Sequence, residues 1–295
     1  MKVGVVLLIE GNQQFGVPNY RHVRDLALRA EQAGLDSIWL YDHLLFRFND
    51  DPPIGHWECF TFLAGLAEAT QRIALGTLVA CTAFRHPTVL AKMATALDEV
   101  STGRFTLGLG AGWNEAEFSA FGLPFDHRVS RFEEALQIIA PLVRTGQVDF
   151  TGTYYRAADC LDLPRGPRQD GPPLLVAGFG PRMIRLAARY ADSINTGFNI
   201  DDPDSAHAKI AAACAEVGRD SAALAITIPG WAAFPDIGPT PAHMHEATFA
   251  SAEALAQHMR RSAAAGVEHV MYDFRPNNVA GLQRVAEALR LYRSN

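Results

Sequence analysis

Short runs rich in Val, Leu and Ile alternate along the chain with longer, alanine-rich segments whose apolar positions recur at helical spacing. The runs at 3–9, 37–41, 73–79, 105–109, 174–177, 193–196, 223–228 and 269–274 predict strands. The segments at 21–33, 57–70, 87–100, 128–143, 181–190, 203–217, 251–264 and 279–291 predict helices. Such βα alternation implies a parallel sheet covered by helices. A count of eight favours closure into a (β/α)8 TIM barrel over an open doubly wound sheet.

One barrel domain over 1–295 is therefore expected, with two intervals longer than ordinary connections. The interval 145–173 contains the alternating stretch VDFTGTYYRAAD, which predicts a hairpin insertion. The interval 229–250, rich in Pro, Gly and His, predicts a lid loop at the carboxyl-terminal rim.

Composition narrows the partners. The 295 residues are 48% hydrophobic and 20% charged, with a net charge of −6 and no run of Lys or Arg long enough to track phosphates, which argues against nucleic acid. Mean hydropathy is +0.01. The opening MKVGVVLLIE is stopped by Glu10, too early for a signal peptide, and no stretch approaches the roughly 18 apolar residues of a membrane span. A cytoplasmic protein acting on a small molecule, with no membrane partner, is expected. Cys59, Cys81, Cys160 and Cys214 have no C-x-x-C spacing, so neither a disulfide framework nor a zinc site is suggested.

In a barrel of this kind chemistry sits at the carboxyl ends of the strands. Asp42 and His43 stand there after the second strand, where an imidazole beside a carboxylate can act as acid or base; a polar turn is the competing reading. Thr77, Cys81 and Thr82 follow the third strand, either as ligand contacts or as a strand end before the helix that starts at Pro87. After the fourth, GLGAGWNEAEF offers Gly108, Gly110 and Gly112 for close approach of a flat ligand, with Trp113 on its wall. The spacing departs from the G-x-G-x-x-G dinucleotide fingerprint. Gly178-Phe179-Gly180 precedes a helix beginning at Pro181, which fits either a phosphate site or a tight turn with Phe179 in the core. His243 and His245 lack a further ligand in register, so no metal is expected, and His56 and Glu58 read as a surface helix start.

The stretch STGRFTLGLGAGWNEAEFSAFGLPFDHRVSRFEEALQII resembles the luciferase-like monooxygenase superfamily, and within it the branch that uses the deazaflavin coenzyme F-420. AGLDSIWLYDH, IALGTLVACTAFRHPTVLAKMATALDEVSTGR and PLLVAGFGPRMIRLAARYAD resemble the same family in the same order. The resemblance implies a barrel, often homodimeric, that holds a flavin-like ring at the carboxyl ends of its strands. It implies Asp42 and His43 beside the ring, with His43 as catalytic acid or base. It further implies ring contacts at Thr77, Leu78, Val79 and Cys81, with a cis peptide at Leu78-Val79. Trp113 and Asn114 would line the pocket, and Gly178, Phe179 and Gly180 would face the cofactor phosphate. Cys81 stands where relatives often carry Thr, and ADSIN replaces a common Ala-Asp-Gly-Trp-Asn. From Ala223 onward the resemblance fades. With coenzyme F-420 the implied reaction is hydride transfer. With FMN it is oxygen insertion, and a flavin-binding barrel without turnover is a third reading.

Overall fold

The computed structural model describes every residue except 12–15, 48–51, 198 and 295, with His243 described by its backbone alone. Strands β1 (Lys2–Val6), β2 (Ser37–Leu40), β3 (Ala74–Thr77), β4 (Phe105–Gly110), β5 (Leu174–Ala177), β6 (Ser193–Asn195), β7 (Ala225–Ala233) and β8 (His269–Arg275) run in parallel, each paired with the next. The ring closes where β8 meets β1, with Lys2 opposite His269 and Val6 opposite Asp273. Outside lie α1 (Tyr20–Gln32), α2 (Cys59–Ala69), α3 (Pro87–Val100), α4 (Arg128–Thr145), α5 (Pro181–Tyr190), α6 (Pro203–Glu216), α7 (Ala252–Ala264) and α8 (Val279–Arg293). The chain is a (β/α)8 barrel.

Local chemistry sets the element ends. Asn19 and Asn278 accept backbone N–H groups at the starts of α1 and α8, Pro occupies the first turn of α3, α5 and α6, and Gly146 in the left-handed conformation stops α4. Strand side chains alternate between two cores. Ile38 and Leu40 on β2 face the helices in the large outer core, whereas Trp39 packs inside the barrel with Val6, Leu78, Leu175 and Met271. Glycines on both neighbouring strands admit the indole. A Cβ on Gly76 would lie 2.1 Å from the Trp39 ring, and one on Gly4 would lie 2.9 Å from its Nε1.

The rim differs from expectation in two places. β3 ends at Thr77, short of 79; the Leu78–Val79 peptide is cis, as the resemblance implies, and the chain then rejoins β4 through Ala80 and Cys81. β7 continues past Ile228, pairing with β8 as far as Ala233 opposite Arg275, so the first five residues of the expected loop 229–250 are strand. The remainder includes a 3-10 turn at Ala242–Ala247. An antiparallel hairpin, Gln147–Thr151 with Arg156–Leu161, occupies the interval after α4. Glu134 secures its turn by accepting the N–H groups of Thr153, Tyr154 and Tyr155. Among the described residues no helix is long and apolar enough to cross a membrane, and no cluster of His, Cys, Asp and Glu could hold a metal ion.

Candidate functional site

At the barrel mouth a three-stranded rim sheet, Glu10–Gly11, Leu45–Phe46 and Ile54–His56, stands beside the ends of β1, β2 and β8. His43 lies in the loop between β2 and this sheet. Its Nδ1 is 3.0 Å from Oε1 of Glu117, on the short helix Glu115–Ala120 that follows β4. Glu117 is 1% exposed, and its Oε2 also accepts the backbone N–H of Leu44 at 3.0 Å. The buried carboxylate thus fixes both the loop and the ring. Because a carboxylate accepts, Nδ1 carries the hydrogen and Nε2 is the nitrogen left for a bound molecule. The ring packs against Phe46 at 4.4 Å, His56 at 5.5 Å and Trp113 at 5.6 Å between centroids.

Asp42 points the other way. Buried in the barrel wall, it receives both arms of Arg85 at 2.7 and 3.0 Å and the Cys81 N–H at 3.0 Å. Burial pushes its carboxyl upward while Arg85 opposes that push. Both oxygens are engaged by the protein, and Asp42 anchors the loop after β3. The carboxylate that serves His43 is Glu117, on an element read from sequence as the flank of a glycine-rich turn.

The remaining expected residues divide between wall and surface. Thr77 is fully buried, donating to the Gly108 carbonyl at 2.7 Å and accepting the Gly108 N–H at 2.9 Å, which joins β3 to β4. Gly108 and Gly110 make room for protein instead of a ligand: a Cβ there would strike the Thr77 carbonyl at 2.0 Å or Val79 at 2.7 Å. Cys81 is buried, its thiol pushed up to about 12 by burial, and it is inert as a nucleophile. Asn114 donates to the Leu45 carbonyl at 2.8 Å and ties the rim to the end of β4. Leu78 and Val79 roof the inner cluster together with Leu8 and Tyr41, forming an apolar floor at the mouth. Trp113 is 57% exposed beside His43. Phe179 is 74% exposed, a Cβ added to Gly180 would meet nothing within 4 Å, and Gly178 packs on Met183. Phe179 therefore lies outside the core that the tight-turn reading placed it in.

Residues that sequence reasoning passed over complete the mouth. A cavity of about 910 Å³ is lined by Leu8, Glu10, Ile54, Pro239, Arg275 and Asn277, among others. Tyr41 donates to Asp273 at 3.2 Å, and Arg275 pairs with Asp273 and comes within 4.0 Å of Glu10. Burial raises the Glu10 carboxyl, with Arg275 opposing. His56, expected at a surface helix start, has a fully buried side chain with neither ring nitrogen hydrogen-bonded, and burial drops it to about 4.

Comparison with known proteins places these features in context. A family model described as luciferase-like monooxygenase matches residues 1–290. An F-420-dependent glucose-6-phosphate dehydrogenase from Amycolatopsis mediterranei is 35% identical over 61% of this chain and 53% of its own length. A pyrimidine monooxygenase, RutA, from Caulobacter vibrioides is 30% identical over 72% of this chain and 62% of its own. The chain thus spans between half and two thirds of these two relatives. The solved structure of an F-420-dependent secondary alcohol dehydrogenase, holding an adduct of its cofactor with acetone, superposes with a TM-score of 0.79 at 20% identity over 99% of both chains.

Proposed function

Because this chain belongs to the luciferase-like monooxygenase family, we propose that it is an oxidoreductase that transfers a hydride between coenzyme F-420 and a small organic substrate. The observation that carries the reading is the His43–Glu117 pair, held at 3.0 Å beside an apolar floor at the barrel mouth. The residues present fit the cofactor. Leu78, Val79 and Trp113 offer faces for a flat ring. The open space at Gly180 and the free N–H groups of the first turn of α5 suit a phosphate, with Gly178 and Phe179 beside it.

When bound, the deazaflavin supplies the carbon that accepts or donates hydride. His43 contributes the accompanying proton step: Nε2 takes the proton from a substrate hydroxyl, or returns it to a carbonyl oxygen, while Glu117 steadies the charge on the ring. Asp42, Thr77, Cys81 and Asn114 hold the wall in place behind these groups. A homodimer and a cytoplasmic location belong to the same proposal.

The match to a pyrimidine monooxygenase over 72% of the chain supports a second reading, an FMN-dependent monooxygenase. Fluorescence titration of the purified protein with each cofactor separates the two: coenzyme F-420 is expected to bind at least tenfold more tightly than FMN. Equal or tighter FMN binding transfers the proposal to the second reading. Reduction of bound coenzyme F-420 by candidate substrates, or oxygenation of substrate in the presence of reduced FMN and O2, distinguishes the corresponding enzyme from a flavin-binding barrel without turnover.

A further inference from the structure

The carboxyl of Glu10 faces the large mouth cavity without a hydrogen bond from any described residue. Its nearest cationic or ring neighbours are His56 Nε2 at 3.5 Å and Arg275 Nη2 at 4.0 Å, and neither makes a hydrogen bond to it. A half-buried carboxyl is costly to leave unpartnered, as is the His56 imidazole behind it, whose side chain has no solvent exposure. Glu10, which lines the cavity and takes no hydrogen bond from a described residue, marks where a ligand's polar atom belongs.

The charges around that point decide what the atom is. Among the described residues lining the cavity, Arg275 is the one Lys or Arg, and Asp273 already engages its guanidinium. Glu10 and Asp273 together outnumber it. The rest of the lining is largely apolar, with Leu8, Val17, Pro18, Ile54, Pro239, Pro241 and Pro276. An entering phosphate or carboxylate would meet the Glu10 carboxyl and a cation that the buried Asp273 already engages.

We propose that this cavity selects its substrate by charge: it takes an apolar molecule bearing, apart from the group that reacts at His43, a hydroxyl or amino group whose hydrogen is donated to Glu10, and rejects molecules carrying phosphate or carboxylate. The inference rests on the reading of the mouth as the substrate site of an oxidoreductase and names the substrate class for it. It also separates this chain from a relative whose substrate is a sugar phosphate.

The test uses the protein without added cofactor, so that failure of the cofactor assignment and failure of this one are read separately. Carboxyl carbons of glutamate are labelled with 13C, the Glu10 signal is assigned from its loss in Glu10→Leu, and benzyl alcohol and benzyl phosphate are titrated in turn. Benzyl alcohol is expected to shift the Glu10 signal with saturation and to bind at least tenfold more tightly than benzyl phosphate. Glu10→Leu is expected to weaken alcohol binding at least tenfold, read by ligand-observed NMR. The double variant Glu10→Gln with Asp273→Asn, which releases Arg275, is expected to gain at least tenfold in affinity for benzyl phosphate. Wild-type binding of the phosphate as tight as that of the alcohol overturns the proposal. So does an unmoved Glu10 signal up to the solubility limit of the alcohol, or a double variant with no gain for the phosphate.

Discussion

Two neighbouring residues, Asp42 and His43, part company at the end of β2, and the split explains much of the site. Asp42 turns into the wall to meet Arg85, and His43 turns to the mouth to meet Glu117. Their adjacency is legible in the sequence; their partners, 43 and 74 residues away, are not. Glu117 sits in a polar helix of six residues where a carboxylate signals nothing locally, and only the barrel, which sets β4 one strand beyond β2 across β3, brings it under the ring. Glu10 similarly reads as the stop of an apolar strand until β8 arrives with Arg275. The Asp42–Arg85 pair gives a stability prediction. Arg85→Leu leaves the buried Asp42 carboxyl with the Cys81 N–H alone and removes the contact of Arg85 with Glu58, and is expected to cost about 3–5 kcal/mol in urea unfolding. Adding Asp42→Leu to it is expected to recover most of that loss. A single variant as stable as the wild type would show that Asp42 does not depend on this pairing.

At the scale of elements, the eightfold alternation is readable because each strand is short, apolar and bounded by turn residues, while each helix carries its own start and stop. The bounds of α3 and α5 follow directly from the prolines at Pro87 and Pro181. The edges are where reading fails. Pro229 suggests a strand end, yet β7 carries on past it because the ladder to β8 continues on the far side. β3 ends early because Leu78 and Val79 leave the ladder to roof the interior. The fit of Trp39 between β1 and β3 also belongs to this scale. Gly76→Ala places a methyl within 2.1 Å of the indole, and overpacking of this kind is expected to cost about 1–3 kcal/mol. In a Trp39→Leu background the same substitution is expected to cost far less, and a double-mutant cycle on thermal unfolding measures the difference.

Across the whole molecule, two histidines far apart report on acid. His56 at the mouth and His269 at the opposite end of the barrel, where its Nε2 meets Ser37 Oγ at 2.8 Å, are each lowered to about 4, chiefly by burial. Unfolded, both regain ordinary imidazole values near 6.5. The unfolded chain therefore binds more protons between about pH 6.5 and 4, and the stability they provide, complete above 6.5, is lost as pH falls through that window. Each contributes a slope approaching about 1.4 kcal/mol per pH unit, while the raised carboxyls of Glu10 and Asp42 act in the opposite direction. Comparing His269→Gln with the wild type isolates one histidine: the variant is expected to lose stability with acid less steeply, by about one proton, in unfolding curves taken at intervals across the window. The seam between β1 and β8 has a consequence of another kind. Glu10 and Arg275 stand together at the mouth, yet the ribosome makes one of them 265 residues before the other. Until His269–Arg275 emerges, β1 and β7 each present an unpaired backbone edge, ready to add a strand from any neighbour. The nascent chain thus carries the open edge of β1 through most of its synthesis and that of β7 from residue 233 onward, and both are sealed, together with the mouth cavity, when a single late strand slots between them.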